Sequence, residues 1–281
     1  MNSDRINTIT DRALDHGTPV GLVIGVCTLL VGVHYLVPEA IEAQLTFDHA
    51  HPVPWASVTA GYVHHSTQHL VSNLVGFCLG GGVVYALCRL QNRRRWFVST
   101  TLLFLVFLPA LVTATSFWAF HSLGVAPTSR GFSGVVAGYV GFIIVAVSRF
   151  VGTRSEQRVG VHVGTAIWIV LLTELLVIYE GVPSVLQVTL VGVGLTLTLG
   201  GVIVRGSRQE WSKASRRRVA IQTGFVTLVV AFLVMFVVVL FPHQIVRDGV
   251  TTNIVGHAAG VVWGMVLAIV GMGCERALDR E

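Results

Sequence analysis

The chain has 281 residues, of which 53% are hydrophobic and 12% charged, and its mean hydropathy is +0.74. Soluble domains are about 25% charged, so this composition excludes an ordinary soluble enzyme and points to a polytopic membrane protein. The formal charge of +5 lies in clusters between apolar segments rather than on one polar face, which argues against a nucleic-acid partner and makes the charge a record of topology.

A transmembrane helix needs about 20 apolar residues to cross about 30 Å of hydrocarbon. A window of that length predicts about eight spans, at 19–38, 66–88, 97–120, 131–150, 162–180, 183–204, 219–241 and 254–273. The expected fold class is an all-α polytopic membrane protein, with 1–281 as one integral-membrane domain. Within it, 1–18 is a cytoplasmic N-terminal segment, 19–273 the transmembrane region and 274–281 a cytoplasmic tail. The N-terminal segment mixes Asp4, Arg5, Asp11, Arg12 and Asp15 and lacks a basic n-region, so the first span is expected to be a retained anchor. The loops 39–63 and 205–218 are the other long polar stretches, and neither is large enough to bury a core of its own. Cys27, Cys78, Cys88 and Cys274 lie in or beside apolar stretches without the spacing of a metal site or a disulfide framework, and read as packing residues.

Basic residues orient the spans. Arg89 and Arg93 to Arg95 follow the second, Arg149, Arg154 and Arg158 the fourth, and Arg205, Arg208, Lys213 and Arg216 to Arg218 the sixth, so those loops and both termini are expected in the cytoplasm. The opposite loops carry Glu39, Glu42, Asp48, a lone Arg130, Glu180, and Arg247 beside Asp248. In that orientation His64, His69, Asn73, Ser133 and His257 all fall in the outer third of the bilayer, at the mouths of the second, fourth and eighth spans.

Those residues have the types that acyl transfer needs. Ser133 lies in Gly131-Phe132-Ser133-Gly134, and His257 in Gly256-His257-Ala258-Ala259-Gly260. A serine hydroxyl is a weak nucleophile until a base removes its proton, and His257 is the histidine placed to do so. His69 and Asn73 are spaced i, i+4 on one helix face and suit an oxyanion, as does the Ser133 backbone N–H at a helix start, with His64 supporting from the loop. Asp248 precedes the eighth span and is left out of the site. Gly134 with Gly138, and Gly256 with Gly260 and Gly264, allow close helix approach beside nucleophile and base. The third partner of the histidine pair is an amide, a poor zinc ligand, so no metal is expected.

The pattern resembles the rhomboid intramembrane serine proteases. Gly131-Phe132-Ser133-Gly134 matches their Gly-x-Ser-Gly motif, and His64, His69 and Asn73 match His-x4-His-x3-Asn. His257, Gly260 and Gly264 resemble the final catalytic helix. Trp55, Thr59 and Gly81-Gly82 fit further family positions in a resemblance that runs from about 55 to 273, except for the extra spans. It implies a six-helix core with two additional helices and a Ser133–His257 dyad that needs no cofactor. It also implies single-pass membrane protein substrates, cut near the outer face with a small residue before the scissile bond. The sequence departs from the family at Ala56, Tyr85 and Ala137, where arginine, glutamate and an aromatic residue are usual, leaving Tyr139 or Trp263 to orient His257. Three segments rather than one separate the Ser133 and His257 spans, so the fifth and sixth read as an inserted hairpin and the seventh as the core's fifth helix.

Glu174, mid-span within Leu-Leu-Thr173-Glu174-Leu-Leu, supports a rival reading. That rival is a secondary transporter relaying protons through Glu174, His162, His34 and His257, though no internal repeat pairs the two halves. A rhomboid-like protein that binds membrane clients without cutting is the other alternative, and such a protein is expected to lack the dyad. Lys213 is the sole lysine, in a chain rich in Val, Gly and Ala, which suggests a bacterial or archaeal plasma membrane. The expected partners are membrane substrates and the lipid bilayer; the oligomeric state stays open.

Overall fold

The computed structural model describes residues 3–181, 184–185, 187–189, 192–194, 213–247 and 250–278. Seven helices among them are long and apolar enough to cross a membrane: Gly17–Leu36, Thr67–Leu90, Arg94–Ser122, Ser133–Gly152, Gln157–Glu180, Val219–Leu240 and Ile254–Glu275. The protein is therefore an all-α multi-pass membrane protein. Helices dominate because every backbone N–H and C=O in hydrocarbon must be bonded within its own segment. The expected span at 183–204 lies largely outside the described residues, as do Arg205, Arg208 and Asp248.

In chain order the helices are α1 (Ser3–Leu36), α2 (Glu39–Leu45), α3 (Ala56–Thr59), α4 (Thr67–Leu90), α5 (Arg94–Ser122), α6 (Ser133–Gly152), α7 (Gln157–Glu180), α8 (Lys213–Leu240) and α9 (Ile254–Leu278). The helical backbone of α1 starts well before the first apolar span, in residues expected only to be a polar cytoplasmic segment. By its internal contacts the chain divides into one unit of residues 1–142 and 255–281 and another of 143–254.

The first unit contains every candidate catalytic residue. Its core is an aromatic column beneath Ser133: Phe77 and Phe104 pack edge-on against Tyr139, and Phe104 and Trp96 against Phe142. Val135, Val136, Tyr139, Val140 and Phe142 are all buried, as expected for a helix that is apolar on every face. The loop 39–63 is ordered as a cap. Its strand β1 (Phe47–Asp48) pairs antiparallel with β2 (Thr128–Ser129), just before Ser133. Ala56 is fully buried with Phe47 and Ala60 in a small apolar cluster. Thr59 donates to the Leu45 carbonyl and closes the cap.

In the second unit, α6 and α7 meet through small residues. A Cβ on Gly160 would strike the Ser148 carbonyl, and one on Gly164 the Ser148 hydroxyl. The short strands β3 (Val246–Arg247) and β4 (Val250–Thr251) pair ahead of α9.

Candidate active site

Local chemistry places the candidate side chains at or near the starts of their helices. Ser66 caps α4 by accepting the His69 N–H at 3.2 Å, so His69 enters the first turn and Asn73 follows one turn below on the same face. Gly131 has φ +119, a backbone state costly for any residue with a Cβ, and this turn delivers Ser133 as the first residue of α6. The Phe132 carbonyl accepts from Val135 and Val136, so the Ser133 amide precedes the helical hydrogen-bond ladder.

His257 Nε2 lies 2.8 Å from Ser133 Oγ, hydrogen-bond distance between side chains 124 residues apart in sequence. His257 is 7% exposed, so its ring is held largely away from water. Asn73 Nδ2 is buried and has no hydrogen-bond partner among the described residues, and the same holds for His69 Nδ1. A buried amide without a partner costs about 1–3 kcal/mol, a cost that a bound acceptor would recover. The His69 ring stands against Gly131, where a Cβ would lie 2.7 Å from Nε2.

His64 acts from beneath the turn, its Nε2 accepting the Phe132 N–H at 3.4 Å. That bond needs a neutral ring, and burial first, then the neighbouring His34 and His65, push His64 down to about 4. Burial also lowers His49 and His65. The sign follows directly. An unfolded histidine titrates near about 6.5 and the folded His64 at lower pH, so the unfolded chain takes up the extra proton. The stability this group contributes is complete above pH about 6.5 and is lost as pH falls through about 4. The thermal midpoint of the purified protein should therefore fall on acidification across that window, and fall less steeply in His64→Gln; equal slopes would remove His64 from the account.

The glycines work as expected, with a division of labour. A Cβ on Gly260 would strike the Gly134 carbonyl, and one on Gly264 the Gly138 carbonyl, so α9 lies directly on the α6 backbone. Gly134 and Gly138 leave room on their other side for Val112 and Leu108 of α5. Ala137 belongs to the same contact: a Cβ on Gly260 would come within 2.9 Å of its methyl group, a spacing with no room for an aromatic side chain.

Neither residue expected to orient His257 stacks on it. Tyr139 is fully buried among Phe77 and Phe104, with its hydroxyl 3.1 Å from Thr101 Oγ1. Trp263 instead donates to Thr115 Oγ1 at 3.0 Å, fixing the helix that carries His257. Lower contacts extend this zipper between α5 and α9: Trp96 donates to the Ala268 carbonyl, Ser99 to the Gly271 carbonyl, and Arg93 pairs with the buried Glu275 at 2.7 Å. Sequence reasoning missed these partners, because a lone Thr, Ser or Glu at a helix end has no distinguishing pattern. Arg130, read as a lone charge, pairs with Glu42 at 3.2 Å.

His34 lies against Thr67 and His257 against Ser133, while both carboxylate oxygens of Glu174 are buried with no partner among the described residues. No group of three or more His, Cys, Asp and Glu among the described residues is arranged to hold a metal ion. No protein-family model, curated protein or solved structure matches the chain.

Proposed function

We propose that this protein is an intramembrane serine endopeptidase of the rhomboid type, cutting single-pass membrane proteins near the outer face of a prokaryotic plasma membrane. The observation that carries the reading is the 2.8 Å approach of His257 Nε2 to Ser133 Oγ. In this reading α1, α4, α5, α6, α8 and α9 make up the six-helix core, α7 belongs to the inserted hairpin, and both termini lie in the cytoplasm.

A client helix enters from the lipid and unwinds at its outer end, most readily where Gly or Pro weakens it. Ser133 Oγ attacks the scissile carbonyl carbon while its proton passes to His257 Nε2. The negative charge on the former carbonyl oxygen is met by the Ser133 N–H, Asn73 Nδ2–H and a His69 ring N–H, each worth roughly 100- to 1,000-fold in rate. His257 then protonates the leaving amine, and water activated by the same ring hydrolyses the acyl-serine ester.

The direct test is labelling of the purified protein by a fluorophosphonate probe, together with cleavage of a single-pass reporter in liposomes. Glu174, whose buried carboxylate has no partner among the described residues, favours the transporter as a second reading. Glu174→Gln separates the two: labelling and cleavage should stay within about threefold of wild type, since Glu174 takes no part in the proposed acyl transfer. Proton-coupled flux into liposomes that is present in wild type and absent in Glu174→Gln would favour transport instead.

A further inference from the structure

Residues 60–64 run beside the turn that presents Ser133, and they are moored in a gap in a neighbouring helix. Pro109 lies inside α5. Having no N–H, it leaves the carbonyl of Leu105, four residues earlier, without its helical donor. The Tyr62 hydroxyl donates to that carbonyl. Gly61 rests on the proline ring, where a Cβ would lie 2.9 Å from Pro109 Cβ, so the mooring is tight in packing as well as in hydrogen bonding.

The other side of the same stretch grips the nucleophile turn. The Ala60 carbonyl accepts the Gly131 N–H at 2.8 Å. The Tyr62 ring lies 5.7 Å from that of Phe132, and His64 accepts the Phe132 N–H. The two amides before Ser133 are thus already bonded, and the first backbone donor left for an oxyanion is that of Ser133 itself.

We propose that Tyr62 is a positioning residue for Ser133: its hydroxyl, seated in the hydrogen-bond gap that Pro109 opens in α5, fixes the 60–64 segment against which the nucleophile turn is aligned. The proposal rests on the reading of Ser133 as the nucleophile. Burial pushes the Tyr62 phenol up to about 12, so the group stays a donor at every working pH. A phenylalanine would keep the ring contact with Phe132 and lose only the mooring. A simple space-filling role for Tyr62 does not require a hydroxyl aimed at the one carbonyl in this turn of α5 that proline has stripped of its donor.

The test compares full-length wild type, Tyr62→Phe, Pro109→Ala and the double variant in detergent. The readouts are thermal midpoint, rate of fluorophosphonate labelling, and hydrogen exchange of the Gly131 and Phe132 amides. Tyr62→Phe should lower the midpoint, slow labelling about tenfold and speed exchange of those amides by a similar factor, the scale expected when a buried acceptor loses its donor. Adding Pro109→Ala supplies a helical N–H to the Leu105 carbonyl and should restore the midpoint, yet leave labelling slow and exchange fast, because the segment stays unmoored. Recovery of all three together would reduce Tyr62 to a filler of the gap and overturn the proposal, as would unchanged labelling and exchange in Tyr62→Phe. If wild type is never labelled, the protease reading fails, while exchange at residues 131 and 132 still decides whether Tyr62 aligns the turn. Should Tyr62→Phe not fold, the double variant supplies the same comparison.

Discussion

Ser133→Ala and His257→Ala should each abolish fluorophosphonate labelling and lower reporter cleavage by roughly a millionfold, the scale of loss when either member of a nucleophile–base pair is removed. The two losses should not add, because the hydroxyl and the imidazole act as one unit across 2.8 Å. Folding should survive both. The contact between α6 and α9 is made by Gly260 on the Gly134 carbonyl and Gly264 on the Gly138 carbonyl, and neither substitution touches it. Removing the serine hydroxyl takes one hydrogen bond from a half-buried site, worth about 1 kcal/mol. Each variant is to be labelled beside wild type, with its thermal midpoint recorded in the same detergent. Labelling that persists in Ser133→Ala would identify another nucleophile and end the assignment.

Gly131→Ala should be nearly as damaging to activity, though the residue makes no bond to substrate. Its φ of +119 costs a residue with a Cβ about 1–3 kcal/mol. The added methyl group would also lie 2.7 Å from His69 Nε2 and closer still to Cε1, so the imidazole must move from its present position. The Gly131 N–H bond to Ala60 would be strained by the same shift. Labelling should fall at least about 100-fold, the scale of losing one oxyanion donor, while circular dichroism keeps the helical signal of the spans. Wild-type labelling in Gly131→Ala would show that the turn tolerates a side chain and that His69 is not held by it.

Much of this protein is legible in one dimension. Seven of the expected spans appear within a few residues of their predicted limits, because hydrocarbon thickness and the helical rise set a length that apolar runs must meet. The i, i+4 spacing of His69 and Asn73 is likewise local: Ser66 caps the helix and the period does the rest. The small-residue faces on α6 and α9 are readable for the same reason, since only residues lacking bulk allow backbones to touch.

Other features depend on residues far apart in the chain. The helix that carries His257 is joined to α5 and its N-cap by a zipper through Trp263, Trp96 and Arg93. No periodicity foretells that Thr115, rather than any other hydroxyl, meets the Trp263 indole. The link from Tyr62 to Leu105 spans 43 residues, and only Pro109, an apparent blemish in an apolar run, hints that a carbonyl there needs an outside donor. The buried carboxylate of Glu174 is visible in both, as an expensive residue in sequence and an unpartnered one in structure.

The sequence by itself determined the solvent, the helical class, the span limits and the residue types gathered at one level, because each follows from composition, segment length and a repeat of 3.6 residues. Tertiary structure alone decided that Ser133 and His257 lie at bonding distance, that Asn73 Nδ2 has no partner among the described residues, and that the Gly131 turn leans on a segment bonded into a proline gap. Those are matters of a few tenths of an ångström between helices, set by which side chains interlock in a close-packed interior, and pairing at that scale leaves no periodic mark on the chain.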